Sequence, residues 1–225
     1  MIVRDATEED AAACAAIYAP YVAETSVSFE LEPPTPDQMA LRINRARHRH
    51  TWLVLVVGER RNGAPPDGGA MRKTRPAGPM GAASTERRDF RRATTPAGPS
   101  AVREPTDIEV DAQVVGFAYG HPFAERPAYR WSCEVSIYLE RQRHRSGGGR
   151  LLYETLLARL ADRGYRRALA GMTLPNDASV AFHGALGFEP VGVYRRVGWK
   201  NGSWHDVAWM QKTILEASDP PAEPR

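Results

Sequence analysis

The chain has 225 residues, 42% of them hydrophobic, with 30 Lys and Arg against 27 Asp and Glu for a formal charge of +3. This suffices for one domain of ordinary size with its own core, and no run of about 18 apolar residues offers a membrane span. The basic excess is local: Arg60 to Arg103 holds ten Lys and Arg against three Asp and Glu, leaving 20 basic against 24 acidic residues elsewhere, so no nucleic-acid surface is expected on the body of the domain.

The start, Met1-Ile2-Val3-Arg4-Asp5, reads as a strand rather than a signal peptide, and the expectation is a cytoplasmic protein. Thr7-Glu8-Glu9-Asp10 reads as a helix start resembling a capping box with Asp in place of Glu, followed by a helix over Ala11–Val22 that Pro20 ends or kinks. Ser28 to Glu32 is a short extended or loop segment. A second helix starts with Thr35 as N-cap, Pro36 in the first helical position and Gln38 closing a capping box, and runs to Arg47. Thr51 to Val57 is a buried strand by length and β-branched content.

Residues 58–112, rich in Pro, Gly, Ala and Arg with no apolar period, read as a disordered insertion in a hairpin, a site where length is tolerated because closure entropy grows only logarithmically. The rest, 1–214, is taken as one domain, and 215–225 as a flexible tail. Gln113 to Gly120 is the next strand, His121 to Arg130 a loop, and Ser132 to Leu139 a strand leading into a glycine turn and a helix to Leu160 closed by Gly164. Arg167–Thr173 is a strand, Ala178–Leu186 a helix stopped by Gly187, and Val191–Val197 and Asp206–Thr213 two final strands. Cys14 and Cys133 stand in apolar contexts and read as packing residues rather than a disulfide or a nucleophile. His48 and His50 have no second ligand cluster, so no metal is expected.

The glycine turn His144-Arg145-Ser146-Gly147-Gly148-Gly149-Arg150 carries the most information. Glycines bare the backbone, and the helix behind them starts with unpaired N–H groups and a positive dipole end, which together suit a pyrophosphate. A P-loop would end in Gly-Lys-Ser/Thr, and here Gly149-Arg150-Leu151 follows. A dinucleotide fold would place an acidic residue about 20 positions on, where the strand Arg167–Thr173 ends without one. The turn resembles the Gln/Arg-x-x-Gly-x-Gly signature of the GNAT superfamily of N-acetyltransferases, with His144 in the Gln/Arg position. Further segments resemble the phosphinothricin and methionine sulfoximine acetyltransferases of that superfamily, in family order. They are 2–10, 28–33 (Ser-Phe-Glu-Leu-Glu-Pro), 128–134 (Ala-Tyr-Arg-Trp-Ser-Cys-Glu), 174–177 (Leu-Pro-Asn-Asp) and 198–207, the match covering 1–57 and 113–214.

The resemblance implies a mixed α+β acyl-CoA N-acyltransferase fold, a twisted central mixed sheet flanked by helices, in the order βααβ-β-βαβαββ. It implies acetyl-CoA as co-substrate and N-acetylation of a small amino-acid-like amine such as phosphinothricin, methionine sulfoximine or sulfone, by direct transfer in a ternary complex and in a homodimer. Another small amine, or an acyl-CoA sensor of low turnover, are the alternatives. Glu134 is implied as general base, its carboxylate raised by burial against Trp131 and Tyr129. His183 stands where many relatives carry a tyrosine near the leaving sulfur, and is otherwise a half-buried helix residue. Cofactor contacts fall to the backbone of Ile137, Tyr138 and Leu139, to Arg145, Ser146, Gly147, Gly148, Gly149 and Arg150 around the pyrophosphate, and to Asn176, which is otherwise a helix-entry residue. The arginines are otherwise surface side chains. Substrate selection is expected from Phe29, Glu32, Phe123, Arg126, Tyr129, Arg130 and Trp131, with Trp199, Lys200 and Trp204 on the far wall.

Overall fold

A computed structural model of the chain describes residues 1–59, 111–143, 147–216, 219 and 221–224. Met1–Glu59 and Asp111–Arg225 make one compact unit. The second unit, Arg60–Val110, lies outside the described residues, and with it nearly all of the expected insertion.

The expected element order is present: β1 (Ile2–Asp5), α1 (Ala11–Glu24), α2 (Pro36–Arg49), β2 (Trp52–Glu59), β3 (Asp111–Pro122), β4 (Ser132–Leu139), α3 (Gly148–Asp162), β5 (Arg167–Thr173), α4 (Asp177–Ala185), β6 (Glu189–Lys200) and β7 (Ser203–Thr213). Both helix starts form as the residues dictate. The Thr7 N–H donates to Asp10 Oδ2 at 2.8 Å, and Thr35 and Gln38 exchange the two bonds of a capping box. Pro20 does not end α1, which continues to Glu24; the missing N–H costs one intrahelical bond, and packing of Tyr18 and Val22 into the core outweighs it. Strands β2 and β3 pair as far as Glu59↔Asp111, so 58–59 and 111–112 belong to the hairpin rather than to the insertion.

The seven strands lie in the order β1-β2-β3-β4-β5-β7-β6, antiparallel except for β4 and β5. Helices cover both faces, which is why β2 is an unbroken apolar run. Trp52, Val54, Val56 and Phe117 pack with α1 and α2, whereas Leu53, Leu55, Val115 and Ala118 pack with Leu152, Leu156 and Leu160 of α3. The hairpin β6–β7 turns on Asn201 and Gly202, both at positive φ (50° and 74°), the two-residue primed turn that Asn-Gly favours.

One irregularity creates the site. The parallel ladder between β4 and β5 joins only Ser132↔Arg167, Cys133↔Ala168 and Glu134↔Leu169, whereas β4 continues to Leu139 and β5 to Thr173. Past Glu134 the two strands diverge, and among the described residues β4 has no neighbouring strand along that edge. The Asp10 carboxylate anchors the opposite end of the sheet. Burial works to raise its pKa, but bidentate bonds from Arg4 at 2.7 Å and the Thr7 N–H outweigh that and lower it.

Candidate functional site

A cavity of about 630 Å³ occupies the α1/α2 face of the divergence, with Tyr119 and His121 from β3, Glu134, Ser136 and Tyr138 from β4, and Phe29 and Glu30 from the loop after α1 among its walls. Strand alternation sets this up: Glu134, Ser136 and Tyr138 share one face, and Cys133, Val135, Ile137 and Leu139 the other. A narrower cleft continues between the strands past Ser136, Tyr138, Thr173 and Asn176 to His183.

Glu134 stands at the apex, the last β4 residue paired with β5. Its side chain keeps 27% of its exposure, and His121 Nε2 lies 3.7 Å from its Oε1. Burial raises the Glu134 pKa and the charge of His121 works against the rise. Trp131 and Tyr129 do not line the Glu134 cavity. The Trp131 indole donates to the Ala222 carbonyl at 2.8 Å, and exposed Tyr129 rests edge-on against Phe123. Cys133, adjacent in sequence, points to the α3 side; burial pushes its thiol, like that of Cys14, up to about 12, so neither supplies a thiolate.

The glycine turn is described from Gly147. That residue takes φ 80° at the N-cap of α3, where a Cβ would be strained, and it supplies no capping side chain. The first helix-closing bond runs from Leu151 N to Gly147 O, so the N–H groups of Gly148, Gly149 and Arg150 precede any intrahelical acceptor. At Gly149 an added Cβ would lie 3.0 Å from Leu139 Cδ1, so glycine lets α3 close onto the free end of β4. Arg145 and Ser146, expected around the pyrophosphate, lie outside the described residues. Arg150 turns away from the helix start, bonding Glu154 at 3.0 Å and the Ala185 carbonyl at 3.4 Å. Of the β4 edge, the Leu139 carbonyl is already taken by Tyr21 Oη at 2.6 Å; Ile137 and Tyr138 line the cleft.

Asn176 caps α4, its Oδ1 accepting from Ser179 N at 3.2 Å. His183, 4% exposed, is held at both nitrogens: Nδ1 donates to the Ser179 carbonyl at 2.8 Å, which leaves Nε2 to accept from Tyr153 Oη at 3.0 Å. Burial lowers its pKa, which favours the neutral ring.

Several expected acceptor-side residues are elsewhere. Glu32 and Arg126 are exposed outside the cavity wall. Arg130 stacks on Trp131 at 4.0 Å and pairs with Glu223 at 2.6 Å. That contact, with Arg166–Asp219 at 2.9 Å, seats the described part of the tail against the domain. Phe123 reaches the site only indirectly, edge-on behind Trp209. Trp199 and Trp204 pack on each other in solvent, and Lys200 is buried beneath the cavity rim rather than facing it. Phe29 is in the wall, its ring filling the space a side chain at 198 would need; a Cβ on Gly198 would overlap it.

Glu30 and His121 are among the wall residues that escaped sequence reasoning. Glu30, two positions before Glu32, takes both nitrogens of Arg42 at 2.7 and 2.8 Å and the Tyr18 hydroxyl at 3.0 Å, and Arg42 first among these holds its pKa below the usual carboxylate range. His121, assigned to a loop, is on β3 opposite Glu134. With the pKa of both Glu30 and Asp10 lowered in the fold, each contributes stability present above the unfolded carboxylate value near about 4 and lost as pH falls through the folded value. The melting temperature is therefore expected to fall on acidification below about pH 4.5, less steeply in Glu30→Gln, which thermal denaturation from pH 3 to 6 reads.

A family model for the acetyltransferase (GNAT) domain matches residues 103–209. A phosphinothricin N-acetyltransferase of Streptomyces coelicolor is 31% identical over 212 residues, 94% of this chain and 95% of its own. One of Streptomyces viridochromogenes is 29% identical over 223 residues, 99% and 91% of the two chains. The crystal structure of a GNAT superfamily phosphinothricin acetyltransferase from Sinorhizobium meliloti in complex with AcCoA superposes with a TM-score of 0.68 at 24% identity, over 98% of this chain and 94% of that one.

Proposed function

The chain belongs to the GNAT acetyltransferases and is an acetyl-CoA-dependent N-acetyltransferase of small amines; from that premise we propose how its residues divide the work and which amine it takes. The acceptor is read as an amino-acid-like amine, phosphinothricin or methionine sulfoximine or sulfone, entering the cavity beside Glu134. The observation that carries this reading is the position of Glu134 at the point where β4 and β5 part, facing the acceptor cavity on one side and the open strand edge on the other.

The residues fit the co-substrate. The uncapped N–H groups at Gly148–Arg150 suit its pyrophosphate, the edge of β4 at Ile137 and Tyr138 suits its amide arm, and Asn176, with only Oδ1 engaged at the cap, retains an amide donor. Bound there, it supplies the acetyl thioester. Glu134 Oε takes one proton from the substrate ammonium and leaves the nitrogen lone pair free to attack. Backbone N–H groups on the β4 edge orient and polarise the carbonyl. His183 holds α4 through Tyr153 and Ser179 and is read as a positioning residue rather than an acid. The reading is tested by acetyl-CoA-dependent thiol release with phosphinothricin, methionine sulfoximine and a panel of other amines. Binding of acetyl-CoA without turnover of the first two moves the substrate class to another amine.

The glycine turn gives a separate prediction. Gly147→Ala forces a side chain into a left-handed conformation at a strain of about 1–2 kcal/mol, displacing the helix start. The KM for acetyl-CoA is expected to rise about fivefold or more with the amine KM unchanged, as steady-state kinetics read.

A homodimer in the cytoplasm is the assembly proposed. Edge strand β6 supports it, since Val191, Val193, Tyr194, Val197 and Trp199 are exposed along it. Sedimentation is expected to give twice the chain mass, and Val193→Glu to give single chains; a monomeric wild type refutes the proposal.

A further inference from the structure

The contact between His121 and Glu134 joins directly opposed residues of the antiparallel β3/β4 pair. His121 Nδ1 lies 3.1 Å from the Pro122 carbonyl, which can only accept, so Nδ1 carries a proton. In a neutral ring Nε2 would then turn a lone pair toward Glu134 Oε1, 3.7 Å away. Two unprotonated acceptors at that separation repel. The arrangement is attractive when Nε2 is protonated too and an imidazolium faces a carboxylate.

Among the described residues, the other ionisable groups do not replace this partner. Tyr18, Tyr119 and Tyr138 share the cavity with Glu134 as neutral hydroxyls, burial raising the pKa of each, and Tyr194 lines it too. Glu30, the second carboxylate there, is neutralised by Arg42. On the far side of His121, a pocket is lined by Arg42, Arg45 and His50 of α2 and its C-cap. Arg42 is committed to Glu30, and the His50 Nδ1 lies 2.7 Å from Tyr165 Oη. Arg45 lines that pocket but not the Glu134 cavity. His121 borders both spaces and keeps 39% of its side-chain exposure, so its ring is open to solvent.

We propose that His121 is a positioning residue for this reaction: its protonated ring, facing Glu134 across the β3/β4 pair, holds the carboxylate in the ionised form that accepts the ammonium proton and so extends activity to lower pH. The inference rests on the reading of Glu134 as the base. As pH falls, protonation of Glu134 removes the proton acceptor, and this loss sets the acid limb of the rate profile. Without His121, Glu134 keeps its burial and loses the opposing charge, so its acid step moves up.

The test is the pH dependence of kcat/KM for the amine from pH 5 to 9 in wild type, His121→Gln, His121→Arg and Glu134→Gln, with melting temperatures to verify folding. In His121→Gln the acid limb is expected about one pH unit or more above that of wild type, with the KM for acetyl-CoA unchanged. In His121→Arg, whose charge persists at every working pH, the limb is expected at or below the wild-type position. An acid limb in His121→Gln that coincides with wild type, or one that His121→Arg fails to restore, overturns the inference and leaves the base reading intact. If Glu134→Gln retains wild-type activity, the base reading itself fails.

Discussion

Glu134→Gln is expected to lower kcat/KM for the amine by about 10²–10⁴-fold, the usual contribution of a positioned general base, while acetyl-CoA binds with unchanged affinity. The amide keeps the size of the carboxylate and its place at the strand divergence, so the cavity is not reshaped. It cannot accept the ammonium proton. The proposed co-substrate contacts are backbone groups of β4 and α3 and the Asn176 side chain, none of which involves the Glu134 carboxylate. Calorimetry with acetyl-CoA and thiol-release kinetics separate the two effects. The defect has a pH signature as well: as pH approaches the pKa of the substrate amine, the free amine forms in solution and needs no base. The ratio of wild-type to variant rates is therefore expected to shrink with rising pH. A variant within about threefold of wild type at neutral pH, a difference of under 1 kcal/mol, would exclude Glu134 as the base.

Regular elements were legible because local chemistry and tertiary packing agree. The Thr35-Pro36-Asp37-Gln38 start of α2, the buried run of β2 and the bounds of β4 and β5 stand where propensity and period put them. Glu134 was legible as a residue but not in its surroundings. The sequence reading ends the preceding strand at Gly120 and puts His121 in a loop; β3 runs two residues further, to Pro122, and that extension sets His121 against Glu134. The acceptor wall was harder. Glu30 and Glu32 sit in an irregular segment with no side-chain period, so only the position of Arg42 on α2 decides between them. Arg130 and Trp131 look like ligands of a carboxylate or an aromatic group, and their partners turn out to be residues of the tail nearly a hundred positions away.

Lys200→Met is expected to cost about 3 kcal/mol or more of stability, at about 1–3 kcal/mol for each buried carbonyl left without a donor. Lys200 is 4% exposed, and its Nζ donates to three carbonyls, Val22, Ser28 and Glu30, each at 2.7 Å. Three acceptors require the three protons of an ammonium, although burial works to lower its pKa against the charge of Glu30. The ammonium is delivered by the tight turn at Asn201 and Gly202, which ends β6 and puts Lys200 opposite Ser203 at the hairpin tip. It thereby ties that tip to the end of α1 and to the loop carrying Phe29 and Glu30. Methionine fills a similar volume and donates nothing. For a domain of this size the loss corresponds to a drop in Tm of roughly 6–12 °C. The kinetic consequence follows from the same contacts: the loop forms the acceptor wall and lies apart from the glycine turn, so the amine KM is expected to rise while that for acetyl-CoA holds. Calorimetric melting and two-substrate kinetics read both effects. A variant as stable as wild type would mean that water replaces the ammonium at the three carbonyls, and a rise in both KM values would mean that the loop supports the whole cleft rather than its acceptor side.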